Sequence, residues 1–216
     1  MSDFRIKTFV LGSVSTNCYV IYHEQTKEAL IVDPADHAAR IVQKCEELGV
    51  KPAAVLLTHG HFDHILAAEE VRKAYSCKIY AGKKEEEMLL NPAKNMTVRM
   101  PHQVSIRPDV LVEDGDELKL AGYTWKVLET PGHTPGCVCY YCADEEVLIS
   151  GDTLFAESLG RTDFPGGSTS AIIRSISEKL FALPDETMVY PGHGGPTSIG
   201  HEKIYNPVAA YLRKNR

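Results

Sequence analysis

Residues 53–64 read AAVLLTHGHFDH, a run in which an apolar segment passes directly into a turn rich in histidine. The continuous apolar half is typical of a β-strand that is buried on both faces. In the turn, His59 and His61 are two residues apart, so both rings can point the same way. Asp63 and His64 open the next helix and can face a second point. One short turn can therefore supply ligands to two neighbouring metal ions.

Three further candidates follow later strands in the same manner. His133 lies in ETPGHTPG (129–136), where glycine and proline predict a rigid turn around the ring. Asp152 ends the strand-like run VLISGD (147–152), and His193 lies in YPGHGG (190–195). Loops that a rigid sheet holds at the ends of its strands are where sites are commonly built. We therefore expect these side chains to join the turn at residues 58–64.

The number of candidates indicates how many metal ions they hold. A catalytic zinc takes three protein ligands and leaves one position for water, so seven candidates exceed one such site and fit two. Imidazole and carboxylate ligands without thiolate suit zinc, iron or manganese, and zinc is the metal we favour. The expected first ion is held by His59, His61 and His133, the second by Asp63, His64 and His193, and both share Asp152.

The composition narrows the class of protein. The chain has 216 residues, 44% hydrophobic and 24% charged, which is typical of a globular protein with its own core. Its net charge of -6 argues against general nucleic-acid binding. No signal peptide is visible and no apolar run is long enough to span a bilayer, so we expect a cytoplasmic protein with reduced cysteines and no membrane partner. The oligomeric state is open, and a monomer is compatible with the sequence.

The order of predicted elements favours one domain over residues 1–216. Strands occur in two runs, each with its helices, and two mixed sheets packed together with helices outside would satisfy that order. Ser168 or Thr169 is the expected N-cap of a helix over 168–183, and residues 91–108 predict a long loop near one end of the fold. Other helices are expected over 38–48, about 64–75, 83–90 and 201–213, the last interrupted at Pro207.

Four motifs together resemble the metallo-β-lactamase superfamily: THGHFDH (58–64), PGHTPG (131–136), SGD (150–152) and PGHGG (191–195). Asp152 stands where β-lactamases of the cysteine-ligand type carry cysteine, which resembles the small, glyoxalase II-like branch. TNCYVI (16–21) and GRTDFPGGS (160–168) are similar to that branch as well. The resemblance spans residues 17–207. It implies an α+β fold, a four-layer αβ/βα sandwich with the metals at the shared edge of its two sheets.

The ligand set and the resemblance together imply a metal-dependent hydrolase. Two ions that share a water lower its pKa and give a bridging hydroxide as nucleophile, and Asp63 is expected to hold it by a hydrogen bond besides binding metal. The expected substrate is a small thioester such as an acylated glutathione, because a thiolate leaves without much acid help. Two dications outweigh the charges of Asp63, Asp152 and a hydroxide, so an anionic substrate is favoured.

Two other activities are compatible with the same site residues. Persulfide dioxygenases of the superfamily share similar motifs but use a single iron, and lactone or phosphoester hydrolysis could use the same metals. Unlike glyoxalase II, the chain has no basic helical region beyond Arg213, and Gly194 and Gly195 replace an aromatic residue. The thiol portion of the substrate is therefore open.

Three residues around the motifs have two interpretations each. Asp33, at the end of the run IVDP (31–34), either orients a ligand histidine or caps a turn. Arg161 and Asp163 either line the substrate pocket or pair with each other to fix their loop, and we favour the pairing.

Overall fold

A computed structural model describes residues 2–214 of the chain. Its strands form two six-stranded sheets and one two-stranded hairpin. The first sheet contains, in both chain order and spatial order, β1 (Phe4–Leu11), β2 (Thr16–His23), β3 (Glu28–Val32), β4 (Lys51–Leu56), β5 (Lys78–Gly82) and β6 (Val110–Val112). The remaining strands are β7 (Glu117–Leu120), β8 (Tyr123–Glu129), β9 (Val138–Cys142), β10 (Val147–Gly151), β11 (Leu154–Phe155), β12 (Ser158–Leu159), β13 (Met188–Pro191) and β14 (Thr197–Ser198).

Both large sheets mix parallel and antiparallel pairs, as expected. In the first sheet β1, β2 and β3 are antiparallel neighbours, and β3 to β6 follow in parallel. The second sheet has the order β14-β13-β10-β9-β8-β7, in which only β10 and β13 are parallel. The hairpin pairs β11 with β12 and directly follows β10.

The helices lie on the outer faces of the sheets. The α-helices are α1 (Ala38–Leu48), α2 (Phe62–Ile65), α3 (Ala68–Tyr75), α4 (Glu86–Leu90), α5 (Thr169–Arg174), α6 (Ile199–Tyr205) and α7 (Pro207–Lys214). Short 3-10 turns cover Lys83–Glu85, Thr97–Arg99 and Leu180–Ala182, and a π-helical turn covers Ser175–Lys179. In the described part of the chain no helix has the length and apolar character needed to cross a bilayer.

Alternating side chains on the strands produce the four layers. In β2, Tyr19 and Ile21 face the second sheet, where they join a cluster around Trp125. Val20 and Tyr22 face the other way and pack with residues of α1 and α3. A third cluster lies between the outer face of the second sheet and the helices from α5 to α7. The expected αβ/βα sandwich is therefore confirmed, because strands with two buried faces need a layer on each side.

Several predicted helix boundaries were wrong for identifiable reasons. The helix expected over about 64–75 is divided into α2 and α3, because the Ala67 N–H donates to the Pro34 carbonyl at 3.0 Å and leaves the helical pattern. The helix expected over 201–213 begins earlier, at Ile199, while its predicted interruption at Pro207 is confirmed: α6 and α7 are separate because Pro207 has no N–H to donate. Ser168 is confirmed as the N-cap of α5, since its hydroxyl accepts from the Ala171 N–H at 3.3 Å. The six cysteines, all within the described residues, are free.

Candidate metal centre

The candidate site lies where the two sheets meet at the ends of β4, β8, β10 and β13. Backbone and side-chain hydrogen bonds join the sheets there. The Val138 N–H donates to the Thr58 carbonyl at 2.9 Å, and the Tyr140 hydroxyl donates to the Leu57 carbonyl at 2.9 Å. On the other side the Asn17 N–H donates to the Gly192 carbonyl at 2.8 Å. The turns that carry the candidate ligands are thus tied to both sheets.

Three buried histidines form the first group of the site. One ring nitrogen from each of His59, His61 and His133 lies within 4.8 Å of the others. The closest pair is His61 Nδ1 and His133 Nε2, 2.9 Å apart. His133 Nδ1 lies 2.8 Å from the Arg161 carbonyl. A carbonyl can only accept, so His133 Nδ1 carries the proton and Nε2 keeps its lone pair for a ligand.

Asp63, His64 and His193 form a second group with the same 4.8 Å spacing. The oxygen Asp63 Oδ2 lies 3.2 Å from His193 Nε2 and 3.4 Å from His64 Nε2. It also accepts from the Thr16 hydroxyl at 2.9 Å, a contact that no sequence pattern had indicated. This group is therefore built from β2, α2 and the turn after β13.

The carboxylate of Asp152 lies between the two groups. Its Oδ1 is 3.4 Å from His64 Nε2, while its Oδ2 is 3.6 Å from His133 Nε2 and 3.5 Å from His193 Nε2. His59, His64 and Asp152 also satisfy the spacing of a ligand group, so His59 stands near both sets. The structure thus brings together all seven side chains that the sequence singled out.

The donor atoms of this cluster fit divalent metal ions. Three of them, His59 Nε2, His64 Nε2 and Asp152 Oδ1, are buried and have no hydrogen-bond partner within residues 2–214. A buried polar atom without a partner costs about 1–3 kcal/mol, so three in one place are unfavourable unless something else binds them. Imidazole nitrogens and carboxylate oxygens are ligands that zinc, iron and manganese accept. A cluster of divalent ions explains the arrangement.

Electrostatics keep two rings of the first group, those of His59 and His61, neutral. Burial, together with the neighbouring histidine rings, lowers the pKa of His59 well below its usual value. Burial and the adjacent His133 ring lower the pKa of His61 to about 4. At neutral pH both rings therefore carry a lone pair that a metal can use.

The second group has the opposite character in the metal-free protein. Burial favours a neutral His64, but the carboxylates of Asp152 and Asp63 outweigh it and raise the pKa of His64 well above its usual value. The pKa of His193 is raised as well: burial opposes the rise, and the hydrogen bond to Asp63 drives it. Burial would raise the pKa of Asp63, yet the His64 ring lowers it. Protons on these rings balance the carboxylates in the absence of a cation.

Asp33 performs both of the functions that its sequence position left open. Its Oδ2 lies 2.8 Å from His64 Nδ1, which it orients, and also accepts from the Thr58 hydroxyl at 2.7 Å. Its Oδ1 accepts from the Thr58 N–H at 2.8 Å and so caps the turn. Asp33 has a φ of 46°, which is unusual for a residue other than glycine. A residue with a strained backbone whose carboxylate contacts a site histidine is typical of a positioning residue.

Glu85 is a site residue that the sequence analysis missed. Its side chain is fully buried. Burial raises the pKa of its carboxyl, and this effect outweighs the hydrogen bonds, which lower the pKa. Its Oε2 accepts from the Gly60 N–H at 2.9 Å, and its Oε1 accepts from the Thr134 hydroxyl and the Gly136 N–H, both at 2.7 Å. It therefore joins the turn with His59 and His61 to the turn with His133. In the sequence it stands in the charged run KKEEE, which is typical of a solvated helix.

The loop after Asp152 is fixed by its own side chains. Arg161 donates to both oxygens of Asp163 at 2.8 and 2.7 Å, and its guanidinium lies 4.0 Å from the centre of the Phe164 ring. This agrees with the pairing that the sequence favoured. The Phe164 ring also lies 5.3 Å from the His61 ring, edge to face. A cavity of about 620 Å³ opens beside His61 and has Phe164 in its wall.

Known proteins resemble this chain over most of its length. The model of the family described as the metallo-beta-lactamase superfamily matches residues 11–193. The hydroxyacylglutathione hydrolase GloC of Haemophilus influenzae is 37% identical over 205 residues, which cover 94% of this chain and 96% of the relative.

Solved structures lead to the same family. BLEG-1 B3 metallo-beta-lactamase is 41% identical with a TM-score of 0.89, over 94% of this chain and 98% of the other. TTHA1623 in a di-iron-bound form is 31% identical with a TM-score of 0.80, over 93% and 98%. ETHE1 from Myxococcus xanthus is 32% identical with a TM-score of 0.80, over 95% and 85%. From the fold, the His/Asp cluster and these likenesses, the chain belongs to the metallo-beta-lactamase superfamily.

Proposed function

We propose that the protein is a metal-dependent hydrolase that cleaves a small thioester on two divalent ions. The observation that carries this proposal is the position of Asp152, whose carboxylate lies within 3.6 Å of histidines from both sets: His133 from the first, and His64 and His193 from the second. A carboxylate in that position can join two ions. The GloC relative, a hydroxyacylglutathione hydrolase, supports a thioester as the substrate. Zinc is the favoured metal, and the di-iron form of TTHA1623 supports iron as the alternative.

The proposed ligands form two sets that Asp152 joins. When bound, two such ions lower the pKa of a shared water toward neutrality and polarise the carbonyl of the substrate. Asp63 has a second role, in which its carboxylate accepts a hydrogen bond from the attacking water while Thr16 holds Oδ2 in place. The sets are His59, His61 and His133 for one ion, and Asp63, His64 and His193 for the other.

Neighbouring groups orient the proposed ligands. Asp33 accepts from His64 Nδ1, and the Arg161 carbonyl accepts from His133 Nδ1, so each Nε2 is left for the site. Hydrolysis of a thioester breaks the C–S bond, and a thiolate leaves without a general acid. The arrangement therefore needs well-placed ligands and a water more than it needs a proton donor.

A second candidate function is persulfide oxidation on a single iron. The likeness to ETHE1 is consistent with it, at 32% identity over 95% of this chain. The two candidates differ in what they need: the hydrolase uses two ions and water, and the dioxygenase uses one iron and oxygen.

Metal analysis combined with a substrate screen separates these candidates. The metal-loaded protein is assayed with thioesters, lactones, phosphodiesters and a persulfide, and its metal content is measured by plasma mass spectrometry. We expect two ions per chain and the fastest turnover on a thioester. One iron per chain, with oxygen uptake on the persulfide, would overturn the proposal.

The variant Asp152→Ala tests the proposed bridging position. We expect its activity to fall to background and its metal content to fall from two ions to one or none, because both proposed sets lose a shared ligand. Asp144→Ala is the matched control, since Asp144 is an exposed carboxylate in the turn between β9 and β10. Full activity in Asp152→Ala would refute the ligand assignment.

A further inference from the structure

The cavity of about 620 Å³ beside His61 has three walls. One wall is α4 with the turn before it, the second is the segment 91–99, and the third is the loop 164–166. A cavity of this size is in the range that holds a whole small-molecule ligand, and a short acyl group would fill only a small part of it. The cavity therefore has room for the larger portion of a substrate whose reacting carbonyl lies at the metal cluster.

Apolar side chains form much of the cavity lining. Met88 from α4, Met96 and Val98 from the segment 91–99, and Phe164 all contribute to it. Val98 is 50% exposed, although a valine usually prefers a buried position. This apolar surface beside a reactive cluster can pack against the hydrocarbon parts of a ligand.

The segment 91–99 is held in place by two buried polar side chains, Asn95 and Thr97. Asn95 donates to the carbonyls of Leu89 and Val104 at 3.3 and 2.9 Å. Thr97 donates its hydroxyl to Asn95 Oδ1 at 2.7 Å and accepts from the Val104 N–H at 3.0 Å. Between these anchors Met96 has a φ of 69°, a strained value that persists because the surroundings hold it. The wall is thus formed before any ligand arrives.

The cavity has three cationic side chains in its lining, and two of them are paired within the protein. Lys84 Nζ lies 2.6 Å from a Glu129 oxygen, and Lys94 Nζ lies 2.5 Å from a Glu87 oxygen. The Arg99 guanidinium has no hydrogen bond or ion pair with any residue from 2 to 214. A guanidinium has donors in a planar fork that matches a carboxylate. Arg99 is therefore the group in this lining that is free to bind an anion.

We propose that this cavity binds the thiol portion of the substrate, and that this portion carries a carboxylate that pairs with Arg99. The inference rests on the proposed thioester hydrolysis and names its substrate class: a thioester of an anionic thiol. In the reaction the oxygen of water bonds to the acyl carbon and the C–S bond breaks. The products are a carboxylate, the anionic thiol and one proton, so no oxidant or further reactant is needed.

Two thioesters with the same acyl group provide the test. One is a hydroxyacylglutathione, whose thiol carries carboxylates, and the other has the same acyl group on neutral N-acetylcysteamine. We expect Arg99→Gln to raise KM for the glutathione thioester about tenfold, which corresponds to about 1.4 kcal/mol. Its KM for the neutral thioester and its kcat for both should stay within twofold of the wild-type values.

Arg107→Gln is the matched control, because it removes the same charge from an exposed arginine outside the cavity lining. It should change neither KM. Val98→Asp adds a negative charge at a half-exposed position of the lining and should raise KM for the glutathione thioester alone. An equal change for both thioesters in Arg99→Gln, or no change, overturns the inference while the proposed hydrolysis stands.

A binding measurement keeps the inference testable if the protein hydrolyses no thioester. S-Hexylglutathione, a thioether that cannot be hydrolysed, is titrated into the metal-loaded protein in a calorimeter. Binding to the wild type that weakens about tenfold in Arg99→Gln and is unchanged in Arg107→Gln supports the cavity assignment, whatever the reaction. Absence of binding, or equal binding to both variants, contradicts it.

Discussion

At the scale of single residues, Glu85 is the point where the turns around the cluster converge. It accepts three hydrogen bonds from two turns whose sequence separation from it is 25 to 51 residues. The space around it is tight: a Cβ on Gly136 would lie 2.5 Å from the Glu85 nitrogen, and one on Gly60 would lie 2.9 Å from Met88 Cγ. Both turns therefore approach Glu85 with glycine, and their spacing depends on its carboxylate.

We expect Glu85→Gln to weaken metal binding by about 10- to 100-fold, the usual effect of removing a group that orients ligands. The amide would place its own N–H against one of the N–H or O–H groups that now donate to the Glu85 carboxylate. That change would move the turn with His61 relative to the turn with His133. Competition with a chromophoric chelator measures the affinity.

Glu86→Gln is the control for this variant. Glu86 is the next residue in the chain, and its side chain has no hydrogen bond or ion pair within residues 2–214. It should bind metal like the wild type. If Glu85→Gln only lowered the unfolding temperature of the metal-free protein and left metal affinity unchanged, Glu85 would be structural and not a positioning residue.

At the scale of elements, hydrogen bonds from β9 hold the two sheets at the site edge. The Tyr140 side chain is fully buried between the sheets, and its hydroxyl donates to the carbonyl of Leu57, two residues before His59. Tyr19 makes the corresponding contact from the first sheet, since its hydroxyl donates to the Pro191 carbonyl at 2.6 Å. The residue just before the turn 58–64 and the first residue of the turn 191–195 thus each accept a hydrogen bond from a hydroxyl of the opposite sheet.

We expect Tyr140→Phe to lower the free energy of unfolding by about 0.5–1.5 kcal/mol, because it removes one buried hydrogen bond without changing the packed ring. Urea unfolding followed by circular dichroism measures the change. Tyr205→Phe is the control, because Tyr205 is 61% exposed and should lose almost nothing. Equal stability of the two variants would show that the hydroxyl adds nothing to the sheet contact.

At the scale of the whole molecule, we propose that the chain unfolds as one domain and that its bound metals stabilise it. The cluster takes ligands from both sheets, so ions that bind only the folded state stabilise both halves together. We expect excess chelator to lower the unfolding temperature in scanning calorimetry while leaving one transition. At a free metal concentration about 100 times Kd, the expected stabilisation is about 2.7 kcal/mol per ion.

The metal-dependent part of this stabilisation should decrease as the pH falls. The raised pKa values of His64 and His193 mean that both rings hold protons below those values, and these protons compete with the ions. Raising the pH through those values should therefore increase metal affinity. Calorimetric titrations of metal into the protein, in buffers of different ionisation enthalpy, count the protons that metal binding releases. A release of zero protons at pH 6 would contradict the assignment of His64 and His193 as protonated ligands.

Much of the fold could be predicted because its signals are local. The apolar runs of β2, β4 and β10 identify buried strands by themselves, and their order in two runs predicts two mixed sheets. The short strands β6 and β14 were missed, since three and two residues carry no period and pair only because a neighbouring strand is present. The break between α2 and α3 was missed for a similar reason: the Pro34 carbonyl that causes it is distant in sequence.

The sequence by itself determined which side chains form the cluster, because each follows a strand and strand ends recur at one edge of a sheet. Tertiary structure alone decided what surrounds them. In the sequence Glu85 resembles any exposed helix glutamate, and Arg99 resembles any loop arginine. The fold places Glu85 between two ligand turns, and it places Arg99 in a cavity wall without a partner among residues 2–214. Whether a side chain is buried, and which groups it hydrogen-bonds or pairs with, depends on contacts between distant segments, and no local sequence pattern encodes such contacts.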